Sequence, residues 1–243
     1  IVDIRTACVD NNEKFRDEYN KIMANECNKF DYISVISEGL INKLGLEKQK
    51  TFILPLGGKE LTSNDIKESR ECLKIIYIGV FDERKIDDTV RAFNKFSEVY
   101  GKQHTYTIIG FANNPAVEDK ILKEIRNNKL NNIKYLGRIP NEELGKYFEQ
   151  NNVGLSYIPM TDFFDYQPPT KTYEYLMNGL LTIATGTYEN KKIINEKNGI
   201  IIEDNEESIY KALEKSLELI PNINRNEIRK TIEKYSWKNI CND

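Results

Sequence analysis

Short apolar runs typical of buried strands recur along the whole chain and alternate with segments of helical period. The runs are rich in Ile, Val, Tyr and Leu, and most lack the polar–apolar alternation of a half-exposed strand. Such runs indicate strands covered on both faces, as in a parallel sheet between two layers of helices. They occupy residues 32–37, 51–56, 73–80, 105–111, 133–139, 153–158, 180–185 and 199–202.

Amphipathic helices are predicted between these runs. Apolar side chains recur at intervals of three or four, the helical period, from Ile86 to Tyr100 and again from Ile209 to Ile220. An alternation of strand and helix builds βαβ units with right-handed crossovers. The predicted fold class is therefore α/β, with a doubly wound parallel sheet.

The predicted domain organisation is unequal. A chain of 243 residues with 40% hydrophobic residues can form one full domain and part of another. It begins with Ile1 and a strand-like stretch, so we expect it to be a fragment. The polar stretch after residue 56 has little to bury, which predicts a linker at 57–72. This linker would separate the remnant of an N-terminal domain at 1–56 from a domain at 73–243.

Composition excludes several classes of function. The net charge is −3 with Lys and Arg scattered, which argues against nucleic-acid binding. Four distant cysteines without a C-x-x-C pair indicate neither a zinc site nor a disulfide framework, and favour the cytoplasm.

No apolar run approaches the roughly 20 residues of a membrane helix. Any peripheral membrane association would be made through residues outside this sequence. Cys8 and Cys27 are interpreted as small core residues.

Residues directly after strands are the first candidates for binding, because the crevice of an open parallel sheet lies beyond the carboxyl ends of its strands. The run at 73–80 contains Gly79, which permits close approach of a ligand to the backbone. Lys85 stands at the start of the next helix, where its ammonium can reach an anion above the sheet. A solvated surface lysine explains Lys85 equally well.

The stretch 167–179 is the most informative part of the sequence. Two prolines and Thr170, interpreted as the cap, open a short helix that Gly179 closes. The free N–H groups and positive dipole at its start suit a diphosphate. Glu174, one turn inside, can accept hydrogen bonds from sugar hydroxyls. Alternatively, Glu174 is a first-turn acid favoured by the dipole and Lys171 is a surface residue.

In these residues, and in the order of further segments along the sequence, the chain resembles the retaining glycosyltransferases of GT-B fold known as family 4, or glycosyl transferases group 1. The matching segments are 31–38, 77–79 with Lys85, 109–110, 136–140, Pro159, 171–179 and 236–237. The resemblance implies a Rossmann-like C-terminal half that binds a nucleotide sugar without a metal ion or other cofactor. It also implies that 1–56 is the end of an acceptor-binding domain.

The resemblance assigns roles to individual residues. Lys85 matches the lysine that binds the diphosphate, and Glu174 matches the second Glu of the family's E-x7-E motif, which holds the ribose. Residues 137–139 match the loop that contacts the base, and the amide of Thr170 is expected to face the phosphates. The expected catalytic residues are Lys85 and Glu174, and the expected substrate-binding residues are Gly79, Arg84, Gly137, Arg138, Ile139, Asp165, Tyr166, Thr170 and Lys171.

The sequence departs from the family pattern at three positions. Tyr166 stands where the first Glu of the motif would be, with Asp165 beside it, so contact with the sugar is expected to be altered or shifted by one residue. Val80 replaces an arginine that often follows the glycine, which leaves Arg84 as a substitute. Pro169 replaces a glycine and removes one backbone donor.

Other polar residues are not expected to act in catalysis. His104 precedes its strand and so lies away from the crevice, which favours an ordinary surface histidine. No Asp-x-Asp sequence occurs that would hold Mg²⁺, and the acidic pair 87–88 is interpreted as helix capping. Asp3 and Arg5 either face the sugar across the cleft or form an ion pair at the edge of a strand.

The sequence thus predicts an enzyme that transfers a sugar, with retention, from a UDP- or GDP-linked donor to a glycan or lipid-linked acceptor. The fragment alone should bind nucleotide but turn over poorly. Two alternatives remain. One is a non-catalytic nucleotide-sugar-binding or regulatory partner of another transferase, indicated by Tyr166 and Pro169. The other is a nucleotide-sugar epimerase.

Overall fold

Two separate parallel sheets form the framework of the protein in its computed structural model, which describes residues 1–62 and 71–242. The small sheet has the order β1-β2-β3, and helices α1 and α2 connect its strands. Its elements are β1 (Val2–Ile4), α1 (Glu13–Cys27), β2 (Ile33–Val35), α2 (Glu38–Leu44) and β3 (Thr51–Ile53). A hydrophobic core of its own, centred on Ile33, Val35 and Leu40, stabilises this part.

The large sheet has the order β6-β5-β4-β7-β8-β9, and every pair of neighbours is parallel. Its strands are β4 (Lys74–Val80), β5 (Thr105–Phe111), β6 (Ile133–Tyr135), β7 (Val153–Ser156), β8 (Leu181–Thr185) and β9 (Gly199–Ile202). The helices are α3 (Ile86–Tyr100), α4 (Pro115–Asn127), α5 (Gly145–Gln150), α6 (Asp162–Asp165), α7 (Thr170–Met177), α8 (Tyr188–Ile193), α9 (Glu206–Leu219), α10 (Arg225–Ile232) and α11 (Trp237–Ile240). The predicted doubly wound α/β class is confirmed.

Most predicted strands begin within a residue of the observed ones, but several end earlier. The run 133–139 predicts one strand, whereas β6 ends at Tyr135. The reason is Gly137, whose φ of 66° turns the chain away and brings its carbonyl oxygen to the N–H of Gly110 at 2.8 Å. The apolar residues after Tyr135 therefore belong to a loop.

The described part of the predicted linker packs against the C-terminal helices. Gly58 forms a parallel bridge with Ser236, and its N–H donates to the carbonyl of Tyr235 at 2.9 Å. The indole of Trp237 lies against Gly57, where a Cβ atom would come within 2.6 Å of the ring. Residues 63–70 of the predicted linker lie outside the described residues, and the division into functional domains stays a prediction.

His104 is buried, so its interpretation as a surface histidine was wrong. It does precede β5 at the amino end of the sheet, as predicted, but only 1% of it is exposed. Its Nδ1 accepts a hydrogen bond from the N–H of Leu73 at 2.9 Å, and its ring packs edge-on against Phe96. The backbone donor just before β4 requires a buried acceptor, and the imidazole supplies it.

The other residues set aside from catalysis have structural partners. Asp87 and Asp88 lie in the first turn of α3 as predicted, but they do not cap it, because both carboxylates bind the guanidinium of Arg91. Arg5 Nε lies 2.6 Å from Asp3 Oδ2, which is the ion pair offered as the alternative for these two residues. None of the four cysteines forms a disulfide among the described residues, and Cys27 is buried as expected while Cys8 is half-buried.

Gly110 is expected to be far less tolerant of a side chain than Gly137, although both have positive φ. A Cβ at Gly110 would lie 1.8 Å from the carbonyl oxygen of Gly79, its register partner on β4, whereas one at Gly137 would meet nothing within 4 Å. Gly110→Ala should therefore lower the free energy of unfolding by about 3 kcal/mol or more and Gly137→Ala by about 1 kcal/mol. Urea denaturation measures both, and equal losses would contradict the proposed clash.

The buried His104 is expected to make stability depend on pH. Burial lowers the pKa of this imidazole below its ordinary value. The folded state thus favours the neutral imidazole. The free energy of unfolding that this preference adds is lost as the pH falls from about 6.5, the ordinary pKa of histidine, toward the folded pKa. Between pH 7 and pH 5 the wild type should lose about 1 kcal/mol more than His104→Asn, whose side-chain oxygen can still accept from Leu73. Urea unfolding curves at the two pH values test this, and parallel losses would refute it.

Candidate functional site

A cavity opens where the strand order of the large sheet reverses. The chain leaves β4 toward β5 on one side and leaves β7 toward β8 on the other, so the connections diverge at the carboxyl ends of these neighbouring strands. The switch-point cavity there has a volume of 280 Å³. It is lined by the last four residues of β4 (77–80), by residues 155–158 at the end of β7 and just after it, and by Arg84, Phe164 and residues 167–171.

Arg84 is one of two cationic side chains that line the switch-point cavity, the other being Lys171. Its guanidinium carbon lies 3.9 Å from the centre of the Phe164 ring, and its Nη1 is buried without a hydrogen-bond partner among the described residues. Burial lowers the pKa of Arg84 from its usual value, while Tyr77 and Glu83 act in the opposite direction. A buried N–H without an acceptor is costly, and a planar guanidinium fork matches phosphate oxygens. The site therefore favours an anionic ligand.

The amino end of α7 faces the same cavity. Pro169, not Thr170, occupies the N-cap position, so the prediction of a threonine cap was wrong: Thr170 is already helical. The N–H groups of the first helical residues have no acceptor within the helix and carry the positive end of its dipole. Thr170 and Lys171 line the cavity, and Gly179, with a φ of 72°, ends the helix as predicted.

Glu174 lies about one turn further along α7 than Thr170. Lys171 Nζ is 2.7 Å from Glu174 Oε2, and about three quarters of each side chain is buried. Glu174 lines a second cavity of 400 Å³, together with Gly57, Asn141 and other residues. Thr170 lines both cavities, so the first turn of α7 lies between the switch-point cavity and the second cavity, which contains the Glu174 carboxylate.

Lys85 lies beside the site rather than in the lining of either cavity. It occupies the N-cap position of α3 with a φ of 48°, and its half-exposed ammonium is 3.5 Å from Asp204 Oδ2. Gly79, by contrast, lines the switch-point cavity, and its predicted contact with substrate stays a prediction. The structure thus brings Arg84 and Gly79 together with α7, while the predicted contact of Lys85 with a diphosphate stays a prediction.

Residues 137–139 form the loop after β6, and none of them lines the two cavities. Arg138 places its guanidinium 5.0 Å from the centre of the Phe111 ring. Ile139 packs against the buried cluster that contains Ile78. The polar residues of this region that do line the second cavity are Asn141 and Glu142, just beyond the loop.

Asp165 and Tyr166 are turned away from the switch-point cavity. Asp165 Oδ1 accepts a hydrogen bond from the N–H of Tyr188 at 2.7 Å, and the ring of Tyr166 packs against Gly39 and 5.2 Å from the ring of Tyr188. Gln167, the next residue, lines the cavity instead. The sequence missed Gln167, because spacing alone does not show which side chain of a loop turns inward.

Two further features are absent from the part of the chain that the structure describes. Residues 1–62 and 71–242 contain no group of three or more His, Cys, Asp or Glu side chains placed to share a metal ion. None of the helices in these residues is sufficiently long and apolar to span a bilayer.

Solved structures of larger proteins superpose on nearly the whole chain. Sucrose-phosphate synthase (tll1590) from Thermosynechococcus elongatus gives a TM-score of 0.76 at 15% identity, covering 98% of this chain and 64% of its own. HepE (Alr3699) from Anabaena, in complex with UDP and glucose, gives 0.77 at 11%, covering 98% and 68%. A mutant of S. aureus TarM gives 0.75 at 19%, covering 99% and 48%. At these identities the likeness establishes the fold, and the chain spans less than two thirds of the first of these proteins.

A family match adds to this structural likeness. No curated protein sequence matches the chain. The family described as glycosyl transferases group 1 matches residues 72–218, which is more than half of the chain. The matched segment includes the residues from Tyr77 to Lys171 that line the switch-point cavity. On this evidence the chain belongs to the glycosyl transferases group 1 family.

Proposed function

We propose that the chain is the donor-binding part of a glycosyltransferase that takes a sugar from a nucleoside diphosphate sugar. The observation that carries the proposal is Arg84, a half-buried arginine at the switch-point cavity whose buried Nη1 has no hydrogen-bond partner among the described residues. A diphosphate offers the charge and the paired oxygens that such a group binds. The presence of UDP in the HepE structure, which shares the fold, supports a nucleotide of this type.

The diphosphate would lie between Arg84 and the amino end of α7. During transfer, negative charge grows on the leaving diphosphate, and groups already oriented toward it stabilise the transition state. Arg84, the free N–H groups of α7 and Lys171 supply that stabilisation. These cations would do so without a metal ion, and we propose that the sugar keeps its anomeric configuration, as the family resemblance implies.

The nucleoside would occupy the second cavity. Because Thr170 lines both cavities, a ligand whose diphosphate lies at the start of α7 can extend past this residue to Glu174. The Glu174 carboxylate binds Lys171 through Oε2, which leaves Oε1 to accept hydrogen bonds from ribose hydroxyls. The base, uracil or guanine, would then lie toward Asn141 and Glu142.

The acceptor, a glycan or lipid-linked sugar, would be bound on the side of the small sheet. That sheet contacts the large one near the cavity, where Asn11 Nδ2 donates to Glu83 Oε1 at 3.0 Å. We propose a cytoplasmic location, which suits four cysteines that form no disulfide among the described residues.

The positions of Asp165 and Tyr166 also favour a second candidate, a binding subunit without turnover. A radiolabelled-sugar transfer assay on the full-length protein distinguishes the two.

Arg84 is expected to dominate the affinity for nucleoside diphosphates. Arg84→Met should weaken binding of UDP or GDP by about 2 to 3 kcal/mol, and Arg84→Lys by less, because lysine keeps the charge but loses the bidentate fork. Isothermal titration calorimetry measures the change. Arg126→Met, at an exposed arginine of α4, is the matched control and should bind like the wild type. If Arg84→Met binds both nucleotides normally, the cavity is not the diphosphate site.

Lys85 and Glu174 are each expected to add to nucleotide binding. Lys85→Ala and Glu174→Ala should weaken it by about 1 to 3 kcal/mol, the usual size of a charge-assisted contact. Lys123→Ala is the control for Lys85, because Lys123 is also exposed and also lies 3.5 Å from a single carboxylate, that of Asp119. Calorimetry under the same conditions decides, and unchanged affinity in both variants would remove these two residues from the site.

A further inference from the structure

Gln167 lies at the wall of the switch-point cavity and has hydrogen-bond partners in both units of the molecule. Its Nε2 donates to the carbonyl of Phe163 at 2.5 Å, and its Oε1 lies 2.6 Å from Thr6 Oγ1. The single hydroxyl proton of Thr6 is shared between Gln167 Oε1 and the carbonyl oxygen of Ala7, which is 2.7 Å away. Thr6 follows β1, so it extends from the carboxyl end of the small sheet. Gln167 is therefore positioned where the two sheets face each other.

The amide of Gln167 keeps capacity for a ligand. An amide side chain has two N–H donors and two acceptor lone pairs, and within the described residues one of each is used. The side chain is half-buried and lines the cavity, so the remaining donor and acceptor are accessible from it. A hydroxyl group, which both donates and accepts, matches this pair.

Gln167 and Arg84 suit different parts of a ligand, because the Gln167 amide is neutral and the Arg84 guanidinium is positively charged. The phosphate oxygens of a ligand are satisfied best by cations and helix N–H groups, which Arg84, Lys171 and the start of α7 provide. Gln167 is neutral and suits a neutral, hydroxyl-rich group attached to the diphosphate. The two residues before it have other partners, since Asp165 binds the N–H of Tyr188 and Tyr166 packs against Gly39.

We infer that Gln167 recognises hydroxyl groups of the sugar that the diphosphate carries, and that Thr6 is a positioning residue that orients the Gln167 amide. The inference rests on the proposed function, because it requires the diphosphate to lie in the switch-point cavity. It goes beyond it in assigning the sugar subsite to an amide and a hydroxyl contributed by two different units of the chain.

The experiment compares nucleotides with and without the sugar. Calorimetry gives the dissociation constants of UDP and UDP-glucose, and of GDP and GDP-mannose, for the wild type and for Gln167→Ala. In the variant, the affinity for the nucleotide sugar relative to the bare nucleoside diphosphate should fall about tenfold, the effect of one buried hydrogen bond, while the affinity for UDP or GDP stays unchanged. Gln150→Ala, at an exposed glutamine of α5, should leave every value unchanged.

The positioning role of Thr6 has its own readout. Thr6→Val keeps the shape of the side chain but removes the hydroxyl. It should lower the affinity for the nucleotide sugar relative to the bare nucleoside diphosphate about threefold, whereas Thr6→Ser, which keeps the hydroxyl, should retain the wild-type ratio. A merely structural Thr6 would lower thermal stability and leave the ratio unchanged.

Each outcome separates the two proposals. A ratio that is the same in Gln167→Ala and the wild type for both nucleotide pairs overturns the sugar subsite but leaves the diphosphate site intact. If Gln167→Ala weakens the binding of UDP and of UDP-glucose equally, Gln167 maintains the shape of the cavity and does not bind the sugar. This result also overturns the sugar subsite. Absence of any UDP or GDP binding by the wild type defeats the proposed function, and the subsite with it.

Discussion

The reversal of strand order between β4 and β7 is the constraint on which the site depends. Two neighbouring parallel strands whose connections leave in opposite directions cannot cover their shared carboxyl edge, so a crevice forms there. On the other side of β4, the facing glycines Gly79 and Gly110 allow close approach of β4 and β5 near their carboxyl ends. Arg84 on the loop after β4 and Thr170 at the start of α7 then meet across a gap that the topology creates.

Electrostatics distinguishes Arg84 from the structural arginines nearby. Arg91 binds Asp87, Asp88 and Glu206, and such a satisfied network needs no ligand to explain it. Arg84 instead rests on the face of Phe164 and leaves a buried N–H without an acceptor among the described residues. A cation held by an aromatic ring keeps its donors free. The contrast is the physical reason for assigning one arginine to the framework and the other to a binding site.

The sequence predicted the sheet well and the site only in outline. Buried parallel strands leave continuous apolar runs, and the class of fold followed from them. It was harder to predict which of two adjacent residues lines the cavity. Lys85 and Arg84 are equally basic in the sequence, but only Arg84 lines the cavity, while Lys85 occupies the N-cap position of α3 and its ammonium lies 3.5 Å from Asp204 Oδ2. Gln167 was missed for a similar reason, because the inward side of a loop is set by contacts with Thr6 and Phe163 that are distant or irregular.

The contact of Gly57 and Gly58 with residues 235–237 links the middle of the chain to a segment synthesised much later. During translation, the small sheet can pair its strands as soon as they emerge from the ribosome, because its contacts are local. Contacts between the small and large sheets, such as those of Asn11 with Glu83 and of Thr6 with Gln167, can form before residues 235–237 are made. The contact of Trp237 with Gly57 comes last, so a nascent chain that lacks α11 would carry two formed halves whose mutual docking is still incomplete.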